Sequence, residues 1–387
     1  MNKLLKTLIA GISALTMCIS IIPLSASAVN TDYIQGDING DNKVLSSDLS
    51  TLRKFLNGEL GASSGYVLQR LDVNQDSVID ENDYVLLKSI LLGLSSNESK
   101  KYSSDLSTME QENRTYYVYD AKTGNKKDNR TYTLSRVSNI NTTSSTSNIS
   151  TCDIIGSDER KLESGYNGIV RLTYSKGNSE GKCTGVVVDN HTILTVAHGM
   201  YDGDLEKGIR NLEILFYDET NHVTNFEVSP KEVHIPTSYI NNYDDLNDFS
   251  FEKYDYALIT VEQDLSDYIN FNVGIASTYI SANNYDFYST GFANSYFDGT
   301  SGQFVNRKTT GSGKMRSVNK YNIYYTIDTS SGYSGAPIYL DVNGSKTIVG
   351  INTYGLYDHD YHSNYNHGTR ITTDILHFIY NNNNLSY

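Results

Sequence analysis

Two stretches, DINGDNKVLSSD from Asp37 and DVNQDSVIDEND from Asp72, echo one another 35 residues apart, and no other feature narrows the fold so far. Each reads Asp-x-Asn-x-Asp and ends on Asp at the twelfth place. Oxygen donors at places 1, 3, 5 and 12, with a main-chain carbonyl at 7, are what a loop needs to wrap one Ca²⁺ ion. Carboxylates and amides are hard ligands, so the set suits calcium better than zinc. The first loop offers Asp37, Asn39, Asp41, the Lys43 carbonyl and Asp48. The second offers Asp72, Asn74, Asp76, the Val78 carbonyl, Asp80 at the ninth place and Asp83. Each loop runs into an apolar helical pattern, LSTLRKFLNG or YVLLKSILLG, and each pattern stops at Gly. A small α-helical module holding two calcium ions is the expectation.

An ordinary EF-hand has Gly at place 6 and Glu at place 12. Here place 6 is Asn42 or Ser77, place 12 is Asp, and no helix precedes either loop. With the duplication, these departures make residues 34 to 95 resemble a dockerin. The resemblance implies a partner, the cohesin module of a scaffoldin, and with it a cellulosome-like assembly on the cell surface. In that family places 10 and 11 of each loop often choose the cohesin. They are Ser46-Ser47 and Glu81-Asn82 here, a mismatch that departs from the symmetric, two-way dockerins.

The start of the chain places that assembly outside the cell. Lys3 and Lys6 precede an apolar run over residues 7–24, and Ala26-Ser27-Ala28 is a small-residue exit, which predicts a secretory signal peptide over residues 1–28. No later run has the roughly 18 apolar residues of a membrane span. A net charge of -14 excludes a nucleic-acid role, since no basic face offsets it. Cys18 leaves with the signal, and the mature chain keeps Cys152 and Cys183, as one disulfide or as two thiols.

After a dockerin module over residues 29–95, residues 96–152 turn to Ser, Thr, Asn and Lys and end in NINTTSSTSNIS. Such a segment buries too little apolar area to offset its ordering entropy, so it reads as a mostly disordered linker or propeptide. RTYYVYDAKTG within it has the look of a short strand.

From about Ile154 short strand patterns follow at regular intervals: GIVRLTY, GVVV, TILTVA, NLEILFY, YALITVE, YDFYSTGF and YNIYYTI. APIYLDV and TIVGINTY flank Asn343-Gly344, a hairpin signal. TTDILHFIYN closes the chain at helical spacing. With 32 Tyr and only four Pro, the composition suits strands. The fold class is therefore multidomain, with an all-β barrel or sandwich and one terminal helix over residues 153–387.

Three segments of that region belong together. TILTVAHGMYD puts His198 directly after a strand, KYDYALITVE puts Asp255 at the head of one, and DTSSGYSGAPIYL puts Ser334 in a Gly-bracketed turn. His, Asp, Ser is one of the chain orders in which a serine triad recurs. Ser is a poor nucleophile until an imidazole takes its proton, and a buried carboxylate then fixes the tautomer and stabilises the imidazolium. The N–H groups of Gly332 and Ser334 are the expected oxyanion hole.

CTGVVVDNHTILTVAHGMYD and SGYSGAPIYL resemble the chymotrypsin-like serine proteases, and IIGSDERKLESGYNGIVRL and NYNHGTRIT resemble their bacterial glutamyl endopeptidase branch. The resemblance implies a double β-barrel, with His198 as base, Asp255 as orienting acid and Ser334 as nucleophile. It needs no cofactor for catalysis and implies protein or peptide substrates.

The chain departs from that family in three places. Gly199 stands where a Cys usually follows the base, so Cys183 lacks its familiar partner and is left with Cys152. Tyr333 precedes the nucleophile, where Asp, Asn or Gln is commoner, and its ring is expected over the turn. Asn352 stands where the glutamyl branch has its pocket His. Thr329 matches that branch's pocket Thr, and Asp328 sits where trypsin-like enzymes hold an acid for Lys or Arg, although a structural role for it ranks first. His367 is a further pocket candidate, while His222, His234 and His359 are expected at the surface.

Relatives commonly need a new amino terminus, for which Asp153 or Ile154 is the candidate. A cut there would release the dockerin unless a Cys152–Cys183 bridge held the halves together or the enzyme were active uncut. The function expected is a secreted serine endopeptidase tethered through its dockerin. The alternative is a pseudoprotease that serves the same complex as a binding module.

Overall fold

The computed structural model describes residues 33–34, 36–61, 68, 70–75, 78–92, 101–102, 110–136, 154–155, 157–165, 167–217, 226, 228–243, 249–275, 285–298, 302–342, 344–355 and 365–382. The predicted signal peptide, Asp76, Cys152, Asp153, His222 and His359 lie outside them.

The dockerin region holds helix α1 (Ser46–Leu56) and helix α2 (Glu81–Leu91), each directly after an acidic loop. Asn42, at place 6 of the first loop, has φ 64, the left-handed conformation that Gly would otherwise supply and Asn tolerates. Leu52, Phe55, Leu56, Leu68, Leu71 and Leu87 are buried. The module sits against the β region: Ile79 N–H donates to Thr373 Oγ1 at 3.1 Å, and Tyr285 Oη donates to Glu59 Oε1 at 3.3 Å. Gly58, at φ 70, closes α1 where a Cβ would strike Val349 and Leu340.

Residues 110–136 correct the linker expectation. They form an antiparallel hairpin, β1 (Glu110–Asp120) and β2 (Lys126–Arg136), joined to the β region. The Ser/Thr/Asn-rich flanks dilute the average composition and hide a local core former: Tyr116, Val118, Tyr119, Ala121 and Tyr132 are all buried. RTYYVYDAKTG, read as a short strand, is the first half of this hairpin.

The first eight-stranded sheet adds β3 (Ile169–Lys176), β4 (Ser179–Asp189), β5 (Thr192–Thr195), β6 (Arg210–Leu215), β7 (Pro230–Pro236) and β8 (Ala257–Val261). Its order is β6-β3-β4-β5-β8-β7-β1-β2, antiparallel throughout. The hairpin's turn threads between β6 and β7, which do not pair directly. Ala121 N–H donates to Lys231 O, Leu212 N–H to Ala121 O, Asn211 N–H to Lys122 O and Gly208 N–H to Gly124 O. The supposed linker thus closes the first sheet.

A charge cluster fastens the same contact. Buried Glu232 on β7 accepts from Lys127 Nζ at 2.9 Å, Arg130 Nη1 at 3.1 Å and His234 Nε2 at 3.2 Å. His234, expected at the surface, is fully buried and stacks on Tyr116 with centroids 5.3 Å apart. Strand alternation turns it into the sheet-to-helix layer, where a carboxylate partner makes burial tolerable.

The second sheet, also eight-stranded, is built on β9 (Asp286–Asp298), β10 (Gln303–Val318), β11 (Asn322–Tyr325), β12 (Pro337–Val342), β13 (Ser345–Tyr354) and β14 (Asn366–Arg370), with the two-residue strands Lys161–Leu162 on β10 and Asn272–Val273 on β13. The order β13-β12-β9-β10-β11-β14, with β14 pairing back onto β13, closes it into a six-strand barrel. Helix α3 (Thr373–Asn382) ends the described chain and packs Phe378 on Tyr116, Tyr132 and Tyr256. Two barrel-like sheets and a terminal helix agree with the expected double barrel.

Candidate active site

Strand β5 ends at Thr195 and runs into the short helical turn Ala197–Met200, which presents His198. Asp255 immediately precedes β8, the strand paired to β5, so sheet register brings the two residues together. His198 Nδ1 and Asp255 Oδ2 are 2.7 Å apart, and Asp255 Oδ1 accepts the His198 main-chain N–H at 2.8 Å. Two bonds to one carboxylate fix both the ring and its backbone. Asp255 is fully buried while His198 keeps 28 % side-chain exposure, so the pair has one buried and one accessible end. Burial alone would raise the Asp255 carboxyl, but attraction and hydrogen bonding from His198, with a bond from Tyr354, hold it below the ordinary Asp range.

Tyr354 is a contributor that sequence inspection missed. Its ring stacks on His198 at 5.5 Å and 30°, and its hydroxyl bonds Asp255. Among 32 tyrosines, no local pattern singles it out.

Ser334 lies in the turn before β12. Thr184 N–H on β4 donates to Ser334 O at 2.8 Å, and Thr184 Oγ1 donates to Gly332 O at 2.8 Å. These bonds seat the nucleophile turn on the sheet that carries His198. Gly332 has φ 96, and a Cβ there would meet Phe292 O at 2.3 Å, so only Gly fits. Tyr333 N–H turns back to Ser330 O at 2.9 Å. The N–H groups of Gly332 and Ser334 on either side make no hydrogen bond among the described residues, which is what an oxyanion site requires. Ser334 Oγ likewise makes none, to His198 or to any other described residue. Such bonds are often loose without substrate and tighten when it binds.

The pocket residues take different roles. Asp328 accepts the main-chain N–H groups of Ile155 and Glu159, both at 2.8 Å, and is 4 % exposed, so its carboxylate is already engaged. Thr329 is fully buried, and its hydroxyl has no partner among the described residues. Asn352 is fully buried and its side-chain oxygen accepts the Tyr325 hydroxyl. His367 lies between Tyr354 and Tyr324, with Nε2 3.7 Å from Glu252 Oε2. Tyr333, its ring expected over the turn, is fully buried.

Cys183 is a free, buried thiol, 3.3 Å from where a Cβ on Gly199 would sit. Among the described residues it has no disulfide partner, and Cys152 lies outside them.

In the first acidic loop Asp37 accepts N–H from Gly40, Asp41 and Asn42, and Asp48 accepts from Ile38, Asn39 and Leu45. In the second, Asp83 accepts from Asn74 and Asp80, which repeats the Asp48 arrangement. Asp80 itself caps α2 through Asn82 N–H at 2.7 Å. Asp37, Asp48 and Asp83 are all fully buried. Arg70 brings a guanidinium nitrogen to 3.2 Å from Asp37, which shows the demand for positive charge at that end of the loop. Among the described residues no three His, Cys, Asp or Glu side chains converge tightly enough to hold a metal by themselves. The donor set includes the Asn39 amide and the Lys43 carbonyl, and by chemical type it fits a hard cation.

Residues 154–379 match the Trypsin family and residues 35–92 match the Dockerin type I domain. The chain belongs to the trypsin family. Its second half is a serine endopeptidase domain, and a calcium-binding type of module, the dockerin, precedes it. A glutamyl endopeptidase of Bacillus licheniformis is 23 % identical over 233 residues, 58 % of this chain and 66 % of the relative. Among solved structures, a Glu endopeptidase is 23 % identical over 58 % of this chain and 97 % of its own, with TM-score 0.45. The protease Anisep of Arthrobacter nicotinovorans is 17 % identical over 55 % and 93 %, with TM-score 0.39.

Proposed function

We propose that the protein is a secreted serine endopeptidase, tethered by its dockerin to the cohesin of a scaffoldin on a cell-surface complex. The observation that carries the reading is the His198–Asp255 pair, doubly bonded and half accessible, beside a turn whose Gly332 and Ser334 N–H groups are unspent. Ser334 Oγ attacks the scissile carbonyl as His198 Nε2 takes its proton. Asp255 holds Nδ1 protonated and offsets the imidazolium charge. The two N–H groups meet the oxyanion, and His198 then returns the proton to the leaving amine. Water repeats the sequence on the acyl-enzyme. The intact constellation argues against a pseudoprotease, which would tolerate loss of any member.

For the residue before the cut, the pocket favours an acidic or amide side chain over Lys or Arg. The Asp328 carboxylate is engaged by two main-chain donors, while the Thr329 hydroxyl is left for a ligand. In the dockerin, two calcium ions would be held, one by Asp37, Asn39, Asp41, Asp48 and the Lys43 carbonyl, the other by Asp72, Asn74, Asp76, Asp80, Asp83 and the Val78 carbonyl. Bound there, each ion would add positive charge beside the buried carboxylates.

A fluorophosphonate probe tests the enzyme. The native chain should be labelled and Ser334→Ala should not. Absence of label on the native chain, even after limited proteolysis, would refute the reading. A peptide library, read with Asn352→His alongside, tests the pocket, and cleavage chiefly after Lys or Arg would overturn the assignment.

A further inference from the structure

The turn carrying Ser334 is braced from outside by Ile155, Glu159 and Arg160. Asp328, at the start of the turn segment, accepts the N–H groups of Ile155 and Glu159. Arg160 is 5 % exposed, and its Nη1 donates to Ser330 Oγ at 2.6 Å. Asp158 fixes the guanidinium through Nε at 2.9 Å and Nη2 at 2.8 Å. The guanidinium carbon lies 5.7 Å from the ring centroids of both Tyr296 and Tyr333. Tyr333 stands between the two oxyanion residues with its ring fully buried, and its hydroxyl donates to Thr309 O at 2.7 Å. Gly291 leaves the ring its room, since a Cβ there would come to 3.0 Å from Tyr333 Cδ1.

We propose that Tyr333 and Arg160 are positioning residues that set the oxyanion turn in the uncut chain, so that the endopeptidase works without cleavage ahead of its protease domain. The inference rests on the endopeptidase reading above. An ammonium freed by cleavage gains most beside a buried carboxylate that lacks a partner. Among the described residues no such carboxylate lies beside this nucleophile. Tyr333 buries a neutral phenol, and its one polar atom is bonded to Thr309. The two nearby acids are engaged by the intact chain: Asp328 by two main-chain amides, and Asp158 by Arg160. A bonded phenol buries at far lower cost than an unpaired charge. Accordingly the Gly332 and Ser334 N–H groups make no hydrogen bond among the described residues while Ile155 and Glu159 engage Asp328.

The test labels the full-length chain with a fluorophosphonate, separates the products on a denaturing gel and sequences the amino terminus of each labelled band. Label on a band whose amino terminus precedes Glu110 is expected. Label confined to shortened bands would overturn the inference and leave the endopeptidase standing, whereas no label on any band would overturn both. Kinetics supply the second arm. Tyr333→Phe keeps the ring and removes the hydroxyl, and Arg160→Lys keeps the charge and removes the fork. Each should lower kcat about tenfold with KM nearly unmoved, a fraction of the ~100- to 1,000-fold cost of deleting an oxyanion donor itself. Unchanged kcat in both variants would refute the positioning role.

Discussion

Gly199→Cys should restore a bridge that this chain lacks, and its effect can be worked from the structure. A Cβ at residue 199 would sit 3.3 Å from Cys183 Sγ. In a disulfide of standard geometry the Cβ lies ~3 Å from the partner sulfur, so a shift of a few tenths of an ångström suffices. Gly199 is not in the left-handed region, so the new side chain meets no backbone strain. Closing a loop of about 16 residues removes chain entropy worth about 3 kcal/mol. For a domain of this size that predicts a rise in Tm of roughly 6–12 °C.

The crowding term is small but present, because Tyr174 Oη lies 3.2 Å from the same Cβ position and must rotate. The kinetics are distinctive. Burial pushes the Cys183 thiol up to about 12, so the folded protein offers almost no thiolate to an oxidant. The bridge must therefore form during oxidative refolding, and oxidant added to folded, reduced variant should act slowly. The assay is thiol titration in denaturant with melting alongside. The parent without its leader should show two thiols, and the oxidised variant one, from Cys152. A variant that keeps all its thiols after oxidative refolding would refute the geometry. One that forms the bridge yet melts below the parent would refute the entropy argument.

Two further outcomes follow from the same structure. A unique protease site placed between residues 138 and 150, once cut, should leave both fragments together in gel filtration at pH 7. His234, then Lys127 and Arg130, hold the Glu232 carboxyl well below its ordinary range, so that contribution is full above about pH 4.3 and fades only as pH falls through the lower folded value. Acid separation is expected only well below about pH 4, and separation at neutral pH would contradict the sheet pairing. Chelating calcium should lower the dockerin's helical circular dichroism and abolish cohesin capture while leaving probe labelling of Ser334 intact. At a thousandfold excess of ion over its Kd, the lost stabilisation is about 4 kcal/mol.

The sequence was most informative where chemistry demands a fixed spacing. The acidic loops, the His198 and Asp255 strand contexts and the Gly-bracketed Ser334 turn could all be read from local pattern, because metal and nucleophile geometry admit few residues. Three things could not be read there. Residues 110–136 have an unremarkable composition, and their hairpin depends on pairing β1 with β7, more than a hundred residues away. His234 looked like a surface residue until strand alternation and Glu232 gave it a buried partner. Tyr354 and Arg160 act across distant elements, and nothing near them in sequence announces a role. Asp328 shows the converse, a residue whose pocket position suggests specificity while its bonds show it bracing Ile155 and Glu159.

The closed first sheet also resolves the conflict between activation and anchorage. A cut between the hairpin and Ile154 threatens to free the dockerin only if the intervening chain is a loose tether. Instead, the hairpin turn supplies the hydrogen bonds that bridge β6 to β7, and its strands meet α3 through Tyr132 and Phe378. The dockerin adds its own contacts at Thr373 and Tyr285. Losing the hairpin would therefore open the barrel that positions His198 and Asp255, so hairpin and catalyst are coupled through folding, and a cut after the hairpin needs no covalent bridge to keep the amino-terminal part in place. That arrangement fits a Cys183 left as a thiol beside Gly199, and Ser46, Ser47 and Asn82 are exposed on the dockerin.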